Sequence, residues 1–569
     1  MKKSTQYVLK KIIPYNQTFM LLLLGTVFST LISEVYPYIF GKIVDEVFYG
    51  KQLAGLITLV LSYLVIFVIN QFIYFIVNIS WAKLNTTFVF DIRRDMFNKV
   101  MNYKGINLTK LNTGDVLNRM SEDSVQLFNY VYWNIFYTIT DSLCILLALV
   151  FVAFISLKMM IIIILMTPII VYSSRHFAKI IQAKQTIIRE DKGKLNAWIY
   201  EMLRGMQEIR FIGASFNVMR DYLRKSIDLE RKGIEKDEIE VKSTRISEFI
   251  KMLGTVVVYG VAAFCIYLEE ATLGGFVAFI AYFDLCIKSF DDLNFVILGF
   301  GSNTVGIKRV MDIMDSDSEL DSQGVNATQF LSADIRFQDI YFSYEEGKQV
   351  LNHLNLNICA GERIAIVGHS GSGKTTISSL LVRLFEIEGG QIYIGNRRIQ
   401  EYDLKILRDY IGIVHQESVF FEGTIRYNIS FSNDRENDEE ICNVLRKSSI
   451  YDFVKSLPQG LDTIINQENT AFSAGQKQRL AIARTLYRKP SIIIFDESTA
   501  FLDRSSEEDI KTTWDRLDED ITVIVIAHKA STIENFKRIV VLENGKIVGD
   551  GNHTKLKESC EEYRLLFSE

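Results

Sequence analysis

The chain has 569 residues, of which 49% are hydrophobic and 23% charged, and its formal net charge is −5. This length is too great for a single domain, and the slightly acidic balance gives no argument for a nucleic-acid partner. The six cysteines are scattered without a CxxC pair or paired spacing. Reduced thiols are therefore favoured over disulfides or a zinc site.

Apolar stretches crowd the first part of the chain, and six of them are long enough to cross a membrane as helices, which needs about 20 residues. They cover residues 18–40, 53–79, roughly 131–156, 159–175, roughly 249–268 and roughly 272–300. The first stretch is too long for a signal peptide, lacks an A-x-A end and is followed by further spans. The chain is therefore predicted to be a multi-pass membrane protein.

Basic residues between the spans predict their orientation. Residues 83–127 carry seven Lys or Arg and residues 175–248 are richer still, whereas the turn after the fifth span carries Glu269 and Glu270. The basic loops, both termini and the C-terminal half are therefore predicted to lie in the cytoplasm. Both loops have helix-forming composition, so the spans are expected to continue as helices far beyond the membrane.

Ionisable residues also occur within or near the apolar stretches, namely Glu34, Asp141, Asp284 and Lys288. Such groups usually face a bundle interior or a wet cavity. Asp284 and Lys288 are four residues apart, so they would either pair on one helix face or line a translocation path. The excess of carboxylates favours a cationic or zwitterionic cargo.

A second part of the chain begins after a polar stretch at 311–329, and its first motif is GHSGSGKTT at 368–376. The strand-like ERIAIVG precedes this motif and the helix-like ISSLLVRLF follows it. That is the setting required by the phosphate-binding pattern G-x-x-x-x-G-K-[ST]. The sequence therefore predicts a nucleotide-binding loop opening a helix whose dipole favours an anion.

The glycines, the lysine and the first threonine of this motif each suit phosphate or metal binding for a chemical reason. Glycines 368, 371 and 373 let backbone N–H groups turn towards phosphate oxygens. Lys374 can neutralise the β- and γ-phosphates, and the Thr375 hydroxyl can ligate Mg²⁺.

Two further apolar strands end in polar side chains. SIIIFDE (491–497) ends in Asp496, which can hold Mg²⁺ through water, and Glu497, which can orient or deprotonate an attacking water. TVIVIAH ends in His528 at the corresponding edge. A fully apolar strand suits the centre of a parallel sheet, whose carboxyl edge is where ligands bind.

The stretch FSAGQKQR (472–479) predicts another helix start. The Ser473 hydroxyl can accept from the backbone N–H of Gln476, whose side chain reaches back, which is a capping box. The helix is expected to stop at Pro490. Its N-terminus would favour an anion, although Ala474 stands where a tight phosphate site would prefer glycine.

Taken together and in this order, these motifs resemble those of ATP-binding cassette (ABC) half-transporters of the exporter type over nearly the whole chain. FSAGQKQR is similar to the family's LSGGQ-x-QR signature. TGDVLNRMSED (113–123) and YEMLRGMQEIRFIGA (200–214) resemble the segments that hold two coupling helices. The implied fold is a bundle of six transmembrane helices with long cytoplasmic extensions, followed by an α/β P-loop nucleotide-binding domain.

The resemblance implies roles for further residues. Tyr344 would stack on adenine, Gln416 would sense Mg²⁺ and contact the membrane domain, Asp503 would belong to the D-loop, and His528 would be the histidine switch. In this family two cassettes pack head to tail, so Ser473, Gly475 and Gln476 would contact the γ-phosphate held by the other cassette. The segment that binds the cofactor ATP would comprise Gly368, His369, Ser370, Gly371, Ser372, Gly373, Lys374, Thr375 and Thr376. The ligands of Mg²⁺ would be Thr375, Gln416 and Asp496. The catalytic residues would be Glu497, His528 and Gln416.

The sequence departs from the family pattern on the signature side. Phe472 replaces a leucine, Ala474 a glycine and Ala500 a serine, and INQENTA (465–471) lacks the usual run before the signature. A homodimer would carry this alteration in both sites. A heterodimer with a paralogue would set it against the partner's weakened site, and the sequence leaves both assemblies open.

The expected domains are a transmembrane domain at 1–312, a linker at 313–332 and a nucleotide-binding domain at 333–569. The predicted function is ATP-driven export of a small or amphipathic substrate, such as a drug, lipid or peptide, across the plasma membrane (the bacterial inner membrane). The expected partners are a second half-transporter, membrane lipids and the substrate, and no nucleic acid. A lipid flippase and an ATP-gated channel or regulator on the same fold are the alternatives.

Overall fold

The computed structural model describes the chain except for residues 1–6, 8–12, 51, 110, 112, 132–135, 320–331, 346, 417, 432–436, 467–471, 497–503, 528–529 and 568–569. The chain forms two compact units. The helical unit contains Met1–Met101 and Asn112–Asp315, and the α/β unit contains Asn102–Leu111 and Ser316–Glu569.

Long helices and shorter ones between them make up the described part of the helical unit. They are α1 (Asn16–Ser33), α2 (Val35–Asp45), α3 (Leu53–Met101), α5 (Thr113–Asn118), α6 (Ser124–Val131), α7 (Thr138–Ile155), α8 (Leu157–Arg204), α9 (Met206–Phe211), α10 (Ser215–Tyr267) and α11 (Leu273–Met314). The intervening helix α4 (Gly105–Thr109) belongs to the α/β unit. Irregular turns at Glu46–Gly50 and Arg119–Asp123 have π-helical bonding.

The predicted continuation of the spans as long helices is confirmed. Helices α3, α8 and α10 contain 49, 48 and 53 residues, which at 1.5 Å per residue far exceeds a hydrocarbon core. Within the described residues, five helices or helix pairs are long and apolar enough to span a membrane. The fourth predicted span, 159–175, lies within α8, where several side chains are outside the described residues.

The first span is broken at Glu34, between α1 and α2. Pro37 lies four residues after Ser33, and a proline ring clashes with the carbonyl at that spacing, so the first helix ends there. Glu34 is only 1% exposed. The Cys144 thiol donates to its Oε1 (2.8 Å) and the Tyr282 hydroxyl donates to its backbone oxygen (2.6 Å), which ties the break to α7 and α11.

The structure does not show the ion pair that one interpretation predicted between Asp284 and Lys288. Asp284 and Lys288 are both exposed on α11, and the described residues contain no ion pair between their side chains. Lys251 of α10 instead pairs with Asp291 of α11. The path-lining alternative for Asp284 and Lys288 therefore stays open, whereas their pairing has no support in the structure.

Twelve short strands and the remaining helices are described in the α/β unit. The strands are β1 (Ile335–Ser343), β2 (Gln349–Ile358), β3 (Arg363–Val367), β4 (Gly389–Ile394), β5 (Arg397–Arg398), β6 (Ile411–Val414), β7 (Gly423–Thr424), β8 (Ile464–Ile465), β9 (Ile492–Asp496), β10 (Thr522–Ile526), β11 (Arg538–Glu543) and β12 (Lys546–Gly551). The helices are α12 (Lys374–Leu381), α13 (Leu404–Tyr410), α14 (Ile425–Ser430), α15 (Asp438–Lys447), α16 (Tyr451–Ser456), α17 (Ala474–Tyr487), α18 (Arg504–Asp515), α19 (Ala530–Ile533), α20 (His553–Ser559) and α21 (Glu561–Leu566).

The central sheet has the strand order β12-β11-β3-β10-β9-β6, and its pairs are parallel except β11 with β12. A four-stranded antiparallel sheet, β2-β1-β4-β5, shares a buried hydrophobic cluster with it. Strands β9 and β10 are buried along their whole length, because helices or a second sheet cover both faces of the central sheet.

A short segment that precedes the helical unit's α5 is built into the α/β unit. The backbone N–H of Gly105, at the start of α4, donates to the Leu384 carbonyl at 3.0 Å. A Cβ at Gly105 would lie 2.0 Å from that oxygen, so only glycine fits this approach. The segment 113–123, which resembles a coupling-helix segment, instead lies in the helical unit as α5 and the turn after it.

Candidate nucleotide site

Four parallel strands of the central sheet end at one edge. Ile526 of β10 pairs with Ile366 of β3 and with Asp496 of β9, and Val414 of β6 pairs with Phe495. The strands therefore finish nearly level, and the predicted loop, carboxylate, histidine and glutamine motifs all follow this edge. Ligands bind at the carboxyl ends of such strands, so this edge is the candidate site.

The loop after β3 is shaped by its glycines. Gly371 and Gly373 have φ values of +82° and +103°, which residues with a side chain rarely adopt. Gly371 is exposed with open space where a Cβ would stand, whereas a Cβ at Gly373 would lie 2.7 Å from Leu351. The turned loop leaves the N-terminus of α12 without a side-chain cap.

The interior of the loop is polar. Lys374 is 4% exposed, and its Nζ donates to the carbonyls of Gly368 (2.8 Å) and His369 (2.9 Å). Ser372 is buried as well, and its Oγ has no hydrogen-bond partner among the described residues. Uncapped backbone N–H groups, a buried ammonium and an unsatisfied hydroxyl together fit a phosphate chain.

Two oxygen donors meet at the edge, as the sequence predicted. The Thr375 Oγ1 lies 3.3 Å from Oδ1 of Asp496, whose side chain is 5% exposed at the end of β9. Hydroxyl and carboxylate oxygens are the ligands that Mg²⁺ prefers. The donor set of these two residues therefore fits a magnesium ion that is also bound by phosphates.

Tyr344, the predicted adenine-stacking residue, is half-buried beside the same loop. Its hydroxyl is 3.0 Å from Oγ1 of Thr376, and its ring makes edge contacts with Phe342 and Phe385. These contacts hold the ring against the first turn of α12. An aromatic ring here can face a base whose phosphates are in the loop.

Gln416 follows β6 at the same edge, and its side chain is exposed without a hydrogen bond to another described residue. The segment around it is braced by α17. Gln478, which is only 4% exposed, donates to the His415 carbonyl (3.1 Å). Arg484 donates to the Val419 carbonyl (2.9 Å) and lies over the Phe420 ring. Burial lowers the pKa of the Arg484 guanidinium.

Gln478 and Arg484 were not singled out from the sequence. Gln478 lies inside the signature stretch. A glutamine at a buried position of the predicted helix was the sequence signal that could have identified it. Arg484 had no local signal, because its partner is 65 residues away along the chain. Both are positioning residues for the Gln416 segment.

The predicted capping box at the start of α17 is present. Ser473 Oγ accepts from the Gln476 N–H (3.2 Å), and the Ser473 N–H donates to Gln476 Oε1 (2.9 Å). Ser473 and Ala474 are exposed, and Gly475 is buried. Within the described part of the chain, Ser473 and Gln476 make no hydrogen bond with the 368–376 loop. The hydrogen bonds of this cap are therefore separate from those inside the loop.

Phe472, the departure that precedes the signature serine, has a packing reason. Its ring meets that of Phe453 edge to face, with centroids 5.8 Å apart, beside the core of the α/β unit. Three predicted site residues, Glu497, Asp503 and His528, lie outside the described residues.

Comparison with family models gives two matches along the chain. The model of the ABC transporter transmembrane region matches residues 19–290, and the ABC transporter model matches residues 351–500. The chain is an ABC transporter. Its fused transmembrane and ATP-binding regions have the architecture of an exporter half-transporter, so the transporter is an ATPase whose activity is coupled to transport and which acts as a dimer in a membrane.

Curated relatives match this transporter over nearly its whole length. The uncharacterised ABC transporter ATP-binding protein YwjA of Bacillus subtilis is 28% identical and covers 97% of this chain and 96% of its own. An ATP-dependent lipid A-core flippase of Haemophilus influenzae is 29% identical and covers 99% and 97%. Both alignments run through the transmembrane region and the ATP-binding region of this chain.

A solved structure shows the fold of the transporter as a whole chain. A bacterial Atm1-family ABC exporter with ATP bound superposes with a TM-score of 0.82 and 24% identity, covering 97% of this chain and 98% of that one. The predicted fold class, a helical membrane bundle with an α/β nucleotide-binding domain, is therefore confirmed.

Proposed function

We propose that two copies of this chain form an exporter in which each 368–376 loop holds the phosphates of ATP. The observation that supports this most directly is the meeting of Lys374, Thr375 and Asp496 at the edge where the parallel strands end. Lys374 would neutralise phosphate charge, and the uncapped start of α12 would donate backbone N–H groups. Tyr344 would stack on the adenine.

Thr375 and Asp496 would hold Mg²⁺, with Gln416 as a further oxygen ligand. The ion would neutralise charge on the β- and γ-phosphates. The 3.3 Å approach of the Thr375 and Asp496 oxygens supports this pair. Gln416 would reach the site by movement of its segment, which Gln478 and Arg484 brace against α17.

Glu497 follows Asp496 directly, so it would orient or deprotonate the attacking water. His528 would stabilise the γ-phosphate from the end of β10, and Asp503 would belong to the segment that links the two sites. These roles come from the order of the motifs and from the strands that precede them.

Ser473, Gly475 and Gln476 would contact the phosphates held by the other copy. The capping box supports this because it keeps α17 stable while its N-terminus stays exposed. One chain carries both a loop and a signature helix, so two identical chains would complete two sites. The purified chain alone should therefore hydrolyse ATP cooperatively; activity only after a paralogue is added would support the heterodimer instead.

The transporter would lie in the plasma membrane, which is the inner membrane in bacteria, with its termini and the nucleotide-binding domain in the cytoplasm. The basic loops at 83–127 and 175–248 support this orientation. We place the transmembrane domain at 1–312, the linker at 313–332 and the nucleotide-binding domain at 333–569. Membrane lipids would surround the first of these.

The cargo would be small or amphipathic. The H. influenzae relative is named a lipid A-core flippase, and this favours a lipid as a second specific candidate beside drugs and peptides. ATP binding would close the two nucleotide-binding domains, and the long helices α3, α8 and α10 would carry that movement to the spans.

The decisive test is the Glu497→Gln variant in nanodiscs, compared with the parent chain. ATP binding should persist, a closed dimer should accumulate, and ATP turnover and export of a fluorescent amphiphile should both stop. Unchanged hydrolysis would remove Glu497 as general base. Export that continues without hydrolysis would favour the ATP-gated channel.

A further inference from the structure

A cavity of about 1030 Å³ opens in the helical unit where α2, α7 and α10 end and α11 begins. Its floor is a close crossing of α2 and α11. A Cβ at Gly41 would lie 2.6 Å from the Gly274 oxygen, and a Cβ at Gly274 would lie 1.9 Å from the Gly41 oxygen. Small residues let helix backbones approach in this way. In the proposed orientation, this end faces the outer side.

One wall of the cavity is aromatic and apolar. Tyr38 and Phe151 lie with ring centroids 5.9 Å apart, Tyr282 stacks behind Phe151 at 5.5 Å, and Phe154 is 81% exposed beside them. Ligand pockets of about 300–1,000 Å³ with such linings accommodate drug-sized molecules. The wall therefore fits an alkyl chain or a flat apolar group.

Four charged side chains line the mouth, and two of them are already satisfied. Asp45 accepts from the Thr272 hydroxyl and from the Gly274 N–H, both at 2.8 Å. Glu270 pairs with Lys158 at 2.6 Å, outside the lining.

The other two mouth charges are Lys42 and Glu269. Among the described residues neither has an ion-pair partner, and the Lys42 ammonium lies only over the Tyr38 ring, 5.6 Å from its centroid. Within the part of the chain that the structure describes, the mouth therefore presents one unpaired cation and one unpaired anion above an aromatic wall.

We propose that this cavity binds a zwitterionic amphiphile, with an anionic phosphate-type group at Lys42, an ammonium at Glu269 and the alkyl chain along Tyr38, Phe151 and Phe154. The inference deepens the proposed function, on which it rests, by naming the cargo class and an outer binding site. A singly charged amphiphile would leave either Lys42 or Glu269 without a counter-charge at the mouth.

The test uses three photoactivatable amphiphiles with one alkyl chain: a lysophosphatidylethanolamine, a lysophosphatidylglycerol and an alkyl trimethylammonium. The full-length transporter in nanodiscs is irradiated with each, and labelling of the segment containing Phe154 is measured by mass spectrometry. The zwitterionic probe should label that segment roughly fivefold more than either singly charged probe, which is the upper end expected for contacts with exposed charges.

Matched variants separate the two charges. Lys42→Gln should shift the preference to the trimethylammonium probe, and Glu269→Gln should shift it to the phosphatidylglycerol probe. Glu46→Gln, which removes a carboxylate at the same end but outside the lining, should leave the ratio unchanged. Equal labelling by all three probes, or ratios that ignore both Lys42→Gln and Glu269→Gln, would overturn the proposal.

ATP-driven export of a fluorescent amphiphile is measured on the same preparations. Selective labelling without any export would leave the outer site standing and remove the proposed function. Export without head-group selection would remove the outer site and leave the proposed function standing.

Discussion

Two helix N-termini of the α/β unit, those of α12 and α17, are built in opposite ways. Helix α12 begins after Gly373 and has no side-chain cap. The loop that precedes it surrounds the buried Lys374 side chain. Helix α17 begins after Ser473, which closes a capping box with Gln476, and Ser473 and Ala474 at this end are exposed to solvent.

The difference shows how each end is prepared for an anion. At α12 the backbone donors stay open because glycine has no side chain to occupy them, and the surrounding chain supplies the positive charge. At α17 the capping box satisfies two donors locally, the backbone N–H groups of Ser473 and Gln476, so the helix end is stable without a ligand from its own chain. The first end suits a primary phosphate site, and the second suits a contact supplied to another chain.

The largest effect should follow removal of the charge at the α12 end. Lys374→Ala should reduce ATP hydrolysis by roughly 100-fold or more, because the buried ammonium is the loop's neutralising group for phosphate. ATPase assays and binding of a fluorescent ATP analogue would measure it. Lys477→Ala, which removes a lysine from the α17 end, is the control and should retain most activity; equal losses would erase the contrast between the two ends.

A reciprocal glycine–alanine exchange sharpens the comparison. Gly373→Ala should abolish tight nucleotide binding, because φ of +103° strains alanine and its Cβ would meet Leu351 at 2.7 Å. Ala474→Gly, at the exposed first position of α17, should cost at most about 1 kcal/mol. Fluorescent-nucleotide titration of both variants checks this. A Gly373→Ala protein that binds ATP normally would contradict the conformational argument.

Ser473→Ala should have the next largest effect. It removes a cap worth about 1 kcal/mol and the proposed contact with the other copy, so ATPase activity should fall roughly tenfold while ATP binding by the parent loop persists. Ser473→Thr keeps the hydroxyl and should restore most of the activity. If alanine and threonine behave alike, the hydroxyl has no role at the second end.

Gln478→Leu should weaken the coupling of ATP hydrolysis to transport, with a smaller effect than the changes above. The variant loses the 3.1 Å bond to the His415 carbonyl and leaves that segment less restrained. Transport per ATP hydrolysed should fall a few-fold, measured in proteoliposomes. The exposed Gln459→Leu provides the matched control, and an unchanged transport ratio in Gln478→Leu would count against bracing of the Gln416 segment.

The smallest effect should come from Phe472→Leu. Loss of the edge-to-face contact with Phe453 should destabilise the region by about 0.5–1.5 kcal/mol, while ATPase activity should stay within about twofold. A thermal-shift measurement of the full transporter, with the aromatic-preserving Phe472→Tyr as control, tests this. A large activity change with an unchanged Tm would place Phe472 in the chemistry.

The sequence alone determined the features that depend on neighbours along the chain. The 368–376 loop, Asp496 at the end of its strand, the capping box at Ser473 and the long helices could all be predicted, because a few consecutive residues dictate turns, strand ends, caps and helical periodicity. The ABC family followed from the order of these motifs.

The tertiary structure alone decided the features that join distant residues. The bracing of the Gln416 segment by Gln478 and Arg484, the approach of Gly105 to Leu384, the Tyr344–Thr376 contact and the outer cavity have no local signature. Asp284 and Lys288 show the same limit, since their spacing allows a pair that the structure does not contain. Side chains choose partners by packing in three dimensions, and spacing along one helix only restricts that choice.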